Sequence, residues 1–329
     1  MVKKRIYFRA DAGTSIGYGH FIRSLALAEI LNKKFDCTFF TSEPTDYQKG
    51  ELAKVCHFVE LKESSKFEDF LNYLVGDEIV VLDNYFFTTE YQRKIKEKGC
   101  KLVCIDDMHD KHYVADAIIN HAPGTKESQF SKEDYTKLYL GPDYLLLRKE
   151  FREAIYIYTP YDENNSIYVC FGGSDDMNLT RKTCEVILAS KPRHIDVVVG
   201  GSYEYYEDLK LFAQNKDIKV YRNASPETIV DLLRKAYLAI VPDSMVFFET
   251  CCLRRPCITG YNCDNQMFIA EYNRNNHLSL EIGDLLEVYE QRLRDAYLNI
   301  TENLMDEYVD NQKRIINDPS DNLTEIFNF

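Results

Sequence analysis

The fold is decided by the stretch Arg5-Ile-Tyr-Phe-Arg9-Ala-Asp11-Ala-Gly13-Thr-Ser-Ile-Gly17-Tyr-Gly19-His20-Phe-Ile-Arg23. Strand-forming residues up to Arg9 run into a glycine-rich turn, and a helix is predicted to begin at His20. A first strand followed by a glycine turn and a helix start is how doubly wound α/β folds present a ligand site. Imidazole side chains titrate near neutral pH, so His20, at the start of this helix, is a candidate for proton transfer.

The glycine turn does not have the spacing of the common nucleotide-binding motifs. Gly13, Gly17 and Gly19 do not form G-x-G-x-x-G, and no G-K-[ST] sequence follows them. Taken alone, His20 is more readily interpreted as a histidine that caps or packs the helix. The remainder of the chain is needed to choose between these interpretations.

Strands and helices alternate through most of the chain, which predicts two parallel sheets in tandem. The first alternation covers residues 1–150, and a Tyr-, Pro- and acid-rich segment at 151–165 is typical of a linker. The second alternation covers 166–329 and ends in an acidic, helical extension from Asp284. The expected fold class is therefore α/β, with two Rossmann-like domains facing across a cleft. Ligands would bind beyond the carboxyl ends of the strands.

Composition disfavours several classes of function. The 53 acidic and 40 basic residues give a net charge of −13, which disfavours nucleic acid and anionic membrane surfaces as partners. No apolar run approaches the ~20 residues of a membrane span, and no secretory leader is recognisable. The ten cysteines have no disulfide-framework spacing. We therefore expect a cytoplasmic protein, monomeric or weakly dimeric, that acts on a small molecule.

Polar residues follow the predicted strands of the second domain. The turn Gly172-Gly173-Ser174 precedes a helix and suits a diphosphate, because backbone N–H groups and the helix dipole favour anions. Ser244 precedes a helix that carries Glu249, whose carboxylate could accept hydrogen bonds from ribose hydroxyls or simply complement the helix dipole. The His109-x-x-His112 segment lacks the arrangement of a metal site, so no metal and no cofactor are predicted.

The chain resembles the UDP-sugar hydrolases of pseudaminic acid biosynthesis. The resemblance is carried by motifs that span about residues 5–280 in the expected order. They are Arg9-x-Asp11, Ile16-Gly17-x-Gly19-His20, Arg23, Asp106-Asp107, Ile119-Asn120, Gly141-Pro-x-Tyr144-x-Leu-Leu-Arg148-x-Glu150-Phe151, Gly172-Gly173-x-Asp175-x-x-Asn178, Ser244-x-x-x-x-Glu249 and Asn265-Gln266. The acidic extension from Asp284 has no counterpart in these motifs.

The resemblance implies a GT-B fold like that of the MurG-type glycosyltransferases. It also implies metal-independent hydrolysis of UDP-2,4-diacetamido-2,4,6-trideoxy-β-L-altropyranose to UDP and the free sugar, with inversion. His20 matches the catalytic base. The implied UDP contacts are Gly172, Gly173, Ser174, Ser244 and Glu249, and the implied sugar contacts are Asp11, Gly17, Tyr85, Asn265 and Gln266.

Other functions remain open at this stage. A glycosyltransferase of the same architecture would use His20 to deprotonate an acceptor instead of water. A sugar-nucleotide sensor would bind the ligand without turnover. Release of UDP without an acceptor would indicate the hydrolase.

Overall fold

The structure is a computed structural model that describes residues 3–13, 18–163 and 165–329. It divides the chain into two units, residues 1–149 with 318–329 and residues 150–317. We refer to these as the N-terminal and the C-terminal unit.

A seven-stranded parallel sheet forms the centre of the N-terminal unit, in the order β3-β2-β1-β4-β5-β7-β9. Its strands are β1 (Arg5–Arg9), β2 (Asp36–Ser42), β3 (His57–Leu61), β4 (Ile79–Leu82), β5 (Lys101–Ile105), β7 (Ala117–Asn120) and β9 (Lys137–Leu140). The short strands β6 (His112–Tyr113) and β8 (Ser131–Lys132) pair separately. The helices of this unit are α1 (Gly19–Leu31), α2 (Asp46–Val55), α3 (Lys66–Tyr73), α4 (Thr89–Glu97) and α13 (Ser320–Glu325).

The C-terminal unit contains a six-stranded parallel sheet in the order β12-β11-β10-β13-β14-β15. Its strands are β10 (Ser166–Val169), β11 (His194–Val199), β12 (Ile218–Arg222), β13 (Ala236–Pro242), β14 (Cys257–Tyr261) and β15 (Leu280–Asp284). The helices of the unit are α6 (Leu179–Ser190), α7 (Tyr206–Ala213), α8 (Pro226–Arg234), α9 (Met245–Cys252), α10 (Met267–Asn276), α11 (Tyr289–Asn299) and α12 (Glu302–Ile315). Helix α5 (Lys149–Ala154) lies at the boundary between the units.

Both sheets have the strand order of a Rossmann-like domain, so the α/β fold class is confirmed. Central strands such as β4 and β10 are buried along their whole length, because helices cover both faces of a parallel sheet. In each sheet the order reverses beside the first strand, between β1 and β4 and between β10 and β13. Such a switch point opens a crevice at the carboxyl ends of the strands, which is where ligands bind in open α/β sheets.

The predicted domain limits differ from the observed units at two places. The predicted linker 151–165 begins inside α5, where Phe151 is buried in the fold and is not part of a solvated connection. The predicted C-terminal domain 166–329 is too long, because residues 318–329 belong to the N-terminal unit. The reason is apolar burial: Leu323, Ile326 and Phe327 lie in the same core cluster as β1 and α1.

Two negative observations concern the described part of the chain. None of its helices combines the length and the apolar character that a membrane crossing requires. Within residues 3–13, 18–163 and 165–329, no three His, Cys, Asp or Glu side chains are grouped as ligands for a metal ion.

Candidate functional site

His20 lies at the start of α1, at the switch point of the N-terminal sheet, and its side chain is buried. Its Nδ1 atom is 2.7 Å from Oδ1 of Asp83, the residue that directly follows β4. Arg23 Nη2 lies 3.0 Å from the same Nδ1 atom, but Asp83 Oδ1 is closer and a carboxylate can only accept a hydrogen bond. We therefore assign the proton to Nδ1, which leaves the lone pair on Nε2. His20 Nε2 has no hydrogen-bond partner among the described residues. This is the tautomer that a general base requires.

Asp83 is held in its charged form by Arg23. The Arg23 guanidinium donates to both carboxylate oxygens, from Nε at 2.8 Å and from Nη2 at 2.6 Å, and Ser24 Oγ donates at 2.9 Å. Burial alone raises the pKa of Asp83, but the charge and hydrogen bonds of Arg23 and the contact with His20 outweigh it, so the pKa lies below its usual value. The His20 ring is therefore oriented by a permanent anion.

Tyr85 covers the His20 ring. The two rings are perpendicular, with centroids 4.5 Å apart, and Tyr85 is 49% exposed. Its hydroxyl lies 3.4 Å from Oδ2 of Asp107, which also accepts from Arg23 Nη1 at 3.0 Å. Burial and the charge of Asp107 raise the pKa of Tyr85 to about 12, so the phenol stays a hydrogen-bond donor at neutral pH. The structure thus brings Tyr85 and His20 together, and adds Asp83, Arg23 and Asp107 to them.

Asp11 has a role different from the expected sugar contact. Its carboxylate pairs with the buried Arg9 guanidinium, accepts from Ser42 N at 2.8 Å and lies 3.1 Å from Lys66 Nζ. Burial raises the pKa of Asp11, but Arg9, Ser42 and Lys66 together lower it below the usual value. With the side chain 3% exposed, little of the carboxylate is left for a ligand. Asp11 instead fixes the turn after β1 against β2 and α3. Gly17, the other expected contact in this turn, lies outside the described residues.

In the C-terminal unit, the expected nucleotide contacts lie on both sides of the switch point. Gly172, Gly173 and Ser174 follow β10, while Ser244 and Glu249 follow the neighbouring strand β13. Gly172 has φ +89°, a conformation that favours glycine, and both Gly173 and Ser174 are exposed. Their backbone groups are therefore accessible to a ligand.

The helix that follows this turn does not offer a free N-terminus. Asp175 accepts from Leu179 N at 2.9 Å and from Thr180 N at 2.8 Å, so its carboxylate already occupies the start of α6. The prediction that the dipole of α6 binds a diphosphate is corrected accordingly. At the start of α9, Ser244 Oγ accepts from Val246 N at 3.3 Å, as an N-cap does. Glu249 lies in this helix and is half-buried.

Asn265 and Gln266 lie in a short 3-10 turn after β14, the strand next to β13. Each uses its side-chain oxygen within the turn: Asn265 Oδ1 accepts from Cys263 Sγ at 2.9 Å, and Gln266 Oε1 accepts from Asn262 N at 3.0 Å. Cys263 is the exposed member of the cysteines, all of which are free thiols. The two amide side chains are accordingly positioned by the turn at the same edge of the sheet as Ser244.

Sequence reasoning missed the pairing of Asp83 with His20. The residues are 63 positions apart, and their contact depends on β4 lying beside β1. The sequence gives only a weak indication of this role for Asp83, which stands at a predicted strand end after an apolar run. Arg23 carries a second signal, because it is one turn from His20 on α1 and hence on the same face.

Comparison with known proteins gives relatives of modest similarity. The chain is 28% identical over 280 residues to the uncharacterized protein MJ1062 of Methanocaldococcus jannaschii, covering 80% of this chain and 56% of that protein. It is 26% identical to the spore coat polysaccharide biosynthesis protein SpsG of Bacillus subtilis, with 83% and 82% of the two chains covered. It is 25% identical to the UDP-2,4-diacetamido-2,4,6-trideoxy-beta-L-altropyranose hydrolase of Campylobacter jejuni, with 76% and 89% covered. The chain thus spans little more than half of the first of these relatives. No family model matches the chain.

Solved structures resemble the whole chain in fold. MurG of Acinetobacter baumannii superposes with a TM-score of 0.68 at 10% identity, covering 98% of this chain and 99% of that one. HepE of Anabaena, solved in complex with UDP and glucose, gives a TM-score of 0.63 at 11% identity, covering 98% of both chains. The fold is therefore the GT-B fold, as expected.

Proposed function

We propose that this protein is a UDP-sugar hydrolase, which cleaves the bond between the anomeric carbon and UDP with water as the nucleophile. The observation that carries the proposal is the 2.7 Å contact between His20 Nδ1 and Asp83 Oδ1, from which we assign the proton to Nδ1 and the lone pair to Nε2. The similarity to the Campylobacter jejuni hydrolase supports UDP-2,4-diacetamido-2,4,6-trideoxy-β-L-altropyranose as the substrate. The similarity to the polysaccharide biosynthesis protein SpsG supports a role in surface glycan synthesis.

His20 acts as the general base. Its Nε2 takes a proton from a water molecule while the water oxygen bonds to the anomeric carbon, and the bond to the UDP oxygen breaks with its electron pair leaving on the diphosphate. A single displacement inverts the anomeric configuration. The Asp83 anion stabilises the imidazolium that forms, as in other carboxylate–histidine pairs. The proton then passes to solvent.

UDP binds at the carboxyl edge of the C-terminal sheet. Backbone donors of Gly172, Gly173 and Ser174, with the start of α9 at Ser244, stabilise the charge that develops on the diphosphate. The Glu249 carboxylate accepts from the ribose hydroxyls. Asp175 keeps the start of α6 closed to the phosphates.

In the N-terminal unit, Tyr85 beside His20 is the proposed contact of the sugar. Gly17, Asn265 and Gln266 remain predicted sugar contacts from the sequence. We propose no cofactor and no metal for the reaction, because proton transfer and charge stabilisation are both assigned to protein groups. Cytoplasmic location and a monomeric or weakly dimeric state remain predictions from the sequence.

A second candidate is a glycosyltransferase that uses the same UDP-sugar. It is favoured by the fold, which the chain shares with a UDP-glucosyltransferase from Polygonum tinctorium. In that reaction His20 would deprotonate a sugar or lipid hydroxyl. The two candidates differ in whether UDP is released without an acceptor.

The test is release of UDP from the UDP-diacetamido sugar by purified protein, with excess chelator and no acceptor. We expect stoichiometric UDP and free sugar. His20→Leu should lower the rate by about 10²- to 10⁴-fold and leave the Kd of UDP unchanged, because the base acts on water. His112→Leu, in the small β6–β8 sheet, is the matched control and should retain the wild-type rate.

Two outcomes would contradict the proposal. Release only after an acceptor is added would indicate the glycosyltransferase. A His20→Leu protein that keeps most of its rate would remove His20 from the reaction. Glu249→Ala tests the nucleotide site independently of the base, since it should raise the Kd of UDP.

A further inference from the structure

Beside the candidate base, three side chains have a buried polar atom without a hydrogen-bond partner in the described part of the chain. The atoms are Oδ1 of Asp107, Nδ2 of Asn120 and Nδ1 of His121. Asp107 comes shortly after β5, Asn120 is the last residue of β7, and His121 follows it. The two strands are adjacent in the sheet, so the three side chains lie at one part of its carboxyl edge. Buried polar groups are nearly always paired in native proteins, and three unpaired ones at one edge point to a ligand that supplies the partners.

The partnered atoms of these side chains fix how the unpaired ones are presented. Oδ2 of Asp107 is held by Arg23 Nη1 at 3.0 Å and by the Tyr85 hydroxyl. The Asn120 Oδ1 atom accepts from Ala122 N at 2.9 Å, which leaves its NH2 group to be satisfied elsewhere. The Asp107 side chain is 31% exposed and His121 is half-buried, so the group is reached from the surface.

The protonation states define what the group recognises. Burial, followed by the positive charge of Arg23, lowers the pKa of His121 to about 4, so its ring is neutral at physiological pH. Burial raises the pKa of Asp107, but Arg23 outweighs it and keeps the carboxylate charged. The group therefore offers an acceptor on Asp107, a donor on Asn120 and a neutral imidazole that can donate or accept.

We propose that Asp107, Asn120 and His121 form a subsite for an N-acylamino substituent of the sugar, the N–H of which donates to Asp107 while its carbonyl accepts from Asn120 or His121. An N-acylamino group is complementary because its planar amide presents one donor, the N–H, and one acceptor, the carbonyl oxygen, on opposite sides. This inference rests on the proposed function for the identity of the ligand as a UDP-sugar. It assigns recognition of the sugar to Asp107, Asn120 and His121, in addition to the residues that carry out the reaction.

The test measures binding, so it can be read whether or not the ligand is hydrolysed. The His20→Leu protein is titrated calorimetrically with the intact UDP-diacetamido sugar and, separately, with UDP. The same titrations are made after adding His121→Phe, which keeps a planar ring but has no hydrogen-bonding nitrogen. We expect the Kd of the UDP-sugar to rise by about 10-fold or more while the Kd of UDP is unchanged.

A conservative variant separates recognition from packing. His121→Asn keeps a polar atom close to the position of Nδ1 and should recover most of the affinity for the UDP-sugar. An unchanged affinity for the UDP-sugar after His121→Phe would overturn the subsite, and so would a parallel loss of affinity for UDP. A failure of the proposed function is distinguished by the wild-type protein, which would then bind the UDP-sugar without releasing UDP.

Discussion

At the scale of single residues, the candidate base depends on a short network of charges. Asp83 orients His20, and Arg23 links Asp83 to Asp107 through separate nitrogen atoms. The network places one cation between two carboxylates, which keeps the buried Asp83 and the partly buried Asp107 ionised. Loss of the Asp83 charge should therefore affect the reaction more than the fold of the ligand site.

Asp83→Asn tests the orienting role of the carboxylate. An amide can present its NH2 group to His20 Nδ1, which favours the wrong tautomer, so we expect kcat to fall by about 10²- to 10⁴-fold. The Kd of UDP should not change. Asp77→Asn, at an exposed carboxylate in the same unit, is the control. An Asp83→Asn protein with more than half of the wild-type kcat would contradict the orienting role.

His194 gives a prediction for stability as a function of pH. Its Nδ1 lies 2.6 Å from Asp217 and its Nε2 lies 3.2 Å from Asp196. Burial lowers the pKa of His194, but the two carboxylates outweigh it and raise the pKa above the usual value. The protonated form is therefore favoured in the folded state. Its stabilisation is full below the unfolded pKa of about 6.5 and is lost as the pH rises through the folded pKa.

Urea unfolding at pH 5.5 and pH 8.5 measures this effect. Between pH 5.5 and pH 8.5, we expect the free energy of unfolding to fall by about 0.5 kcal/mol more in wild type than in His194→Gln. The difference is small because the His194 side chain is partly exposed and its charge is screened by solvent. Asp217→Asn should likewise lose less stability than wild type between the two pH values. An identical pH dependence in wild type and His194→Gln would show that the pair does not stabilise the fold.

At the scale of elements, most of the sheet strands can be predicted from the sequence. The sequence predicts strands at 5–9, 57–61, 101–105, 117–120 and 137–140, and β1, β3, β5, β7 and β9 occupy these residues. Short runs rich in apolar residues between turn residues predict such strands. Strand β15 is not predicted, since Leu280-Glu-Ile-Gly-Asp284 is half-buried and contains two charged residues. The paired strands β6 and β8 are two residues long and depend on their tertiary surroundings.

The candidate site is predictable to the extent that it follows strand ends. His20 and Tyr85 in the N-terminal unit, and Ser244 and Gln266 in the C-terminal unit, are predicted because polar residues after parallel strands lie at the carboxyl edge of their own sheet. The contacts that each residue makes cannot be predicted, since pairing depends on strand order. Asp11 illustrates this limit: its partners Ser42 and Lys66 come from β2 and α3, and only the fold brings them together.

The loops after β10 and β11 provide a test at this scale. A Cβ atom on Gly200 would lie 2.5 Å from the carbonyl oxygen of Gly173 and 2.6 Å from its Cα, so the two turns approach too closely for a side chain. Gly200→Ala must displace the Gly172–Ser174 turn, and we expect a loss of about 1–3 kcal/mol in stability. The Kd of UDP should rise as well.

Gly50→Ala is the matched control. Gly50 lies inside α2, a Cβ atom added to it would have no neighbouring atom within 4 Å, and alanine there should stabilise the fold by about 0.5–1 kcal/mol. Urea unfolding and calorimetric titration with UDP measure both variants. Wild-type stability and UDP affinity in Gly200→Ala would contradict the close packing of the two turns.

At the scale of the whole molecule, the last described residues belong to the N-terminal unit and not to the C-terminal unit that precedes them in sequence. Residues 318–329 belong to the N-terminal unit, and Phe327 packs against Phe35 with ring centroids 6.2 Å apart. The burial of Leu323 and Phe327 in the core around α1 explains why an acidic, helical tail ends in apolar residues. The N-terminal unit is therefore built from both ends of the described chain.

Phe327→Ala tests this closure of the N-terminal unit. Phe327 is fully buried, and its truncation should cost about 3–5 kcal/mol of stability, with hydrogen exchange increasing first in α1 and β1. Asn328→Ala, at an exposed neighbour, should change stability by less than about 0.5 kcal/mol. Equal stability of the two variants would mean that the terminal residues do not support the unit.

The direct test of the reaction is ³¹P NMR of UDP released from the UDP-diacetamido sugar in ¹⁸O-enriched water without an acceptor. Attack of water on the anomeric carbon predicts UDP that contains no ¹⁸O, together with labelled free sugar that first appears as the inverted anomer. Label in the β-phosphate of UDP would show attack on phosphorus and would contradict the role assigned to His20. Absence of UDP release, with UDP bound, would contradict hydrolysis itself.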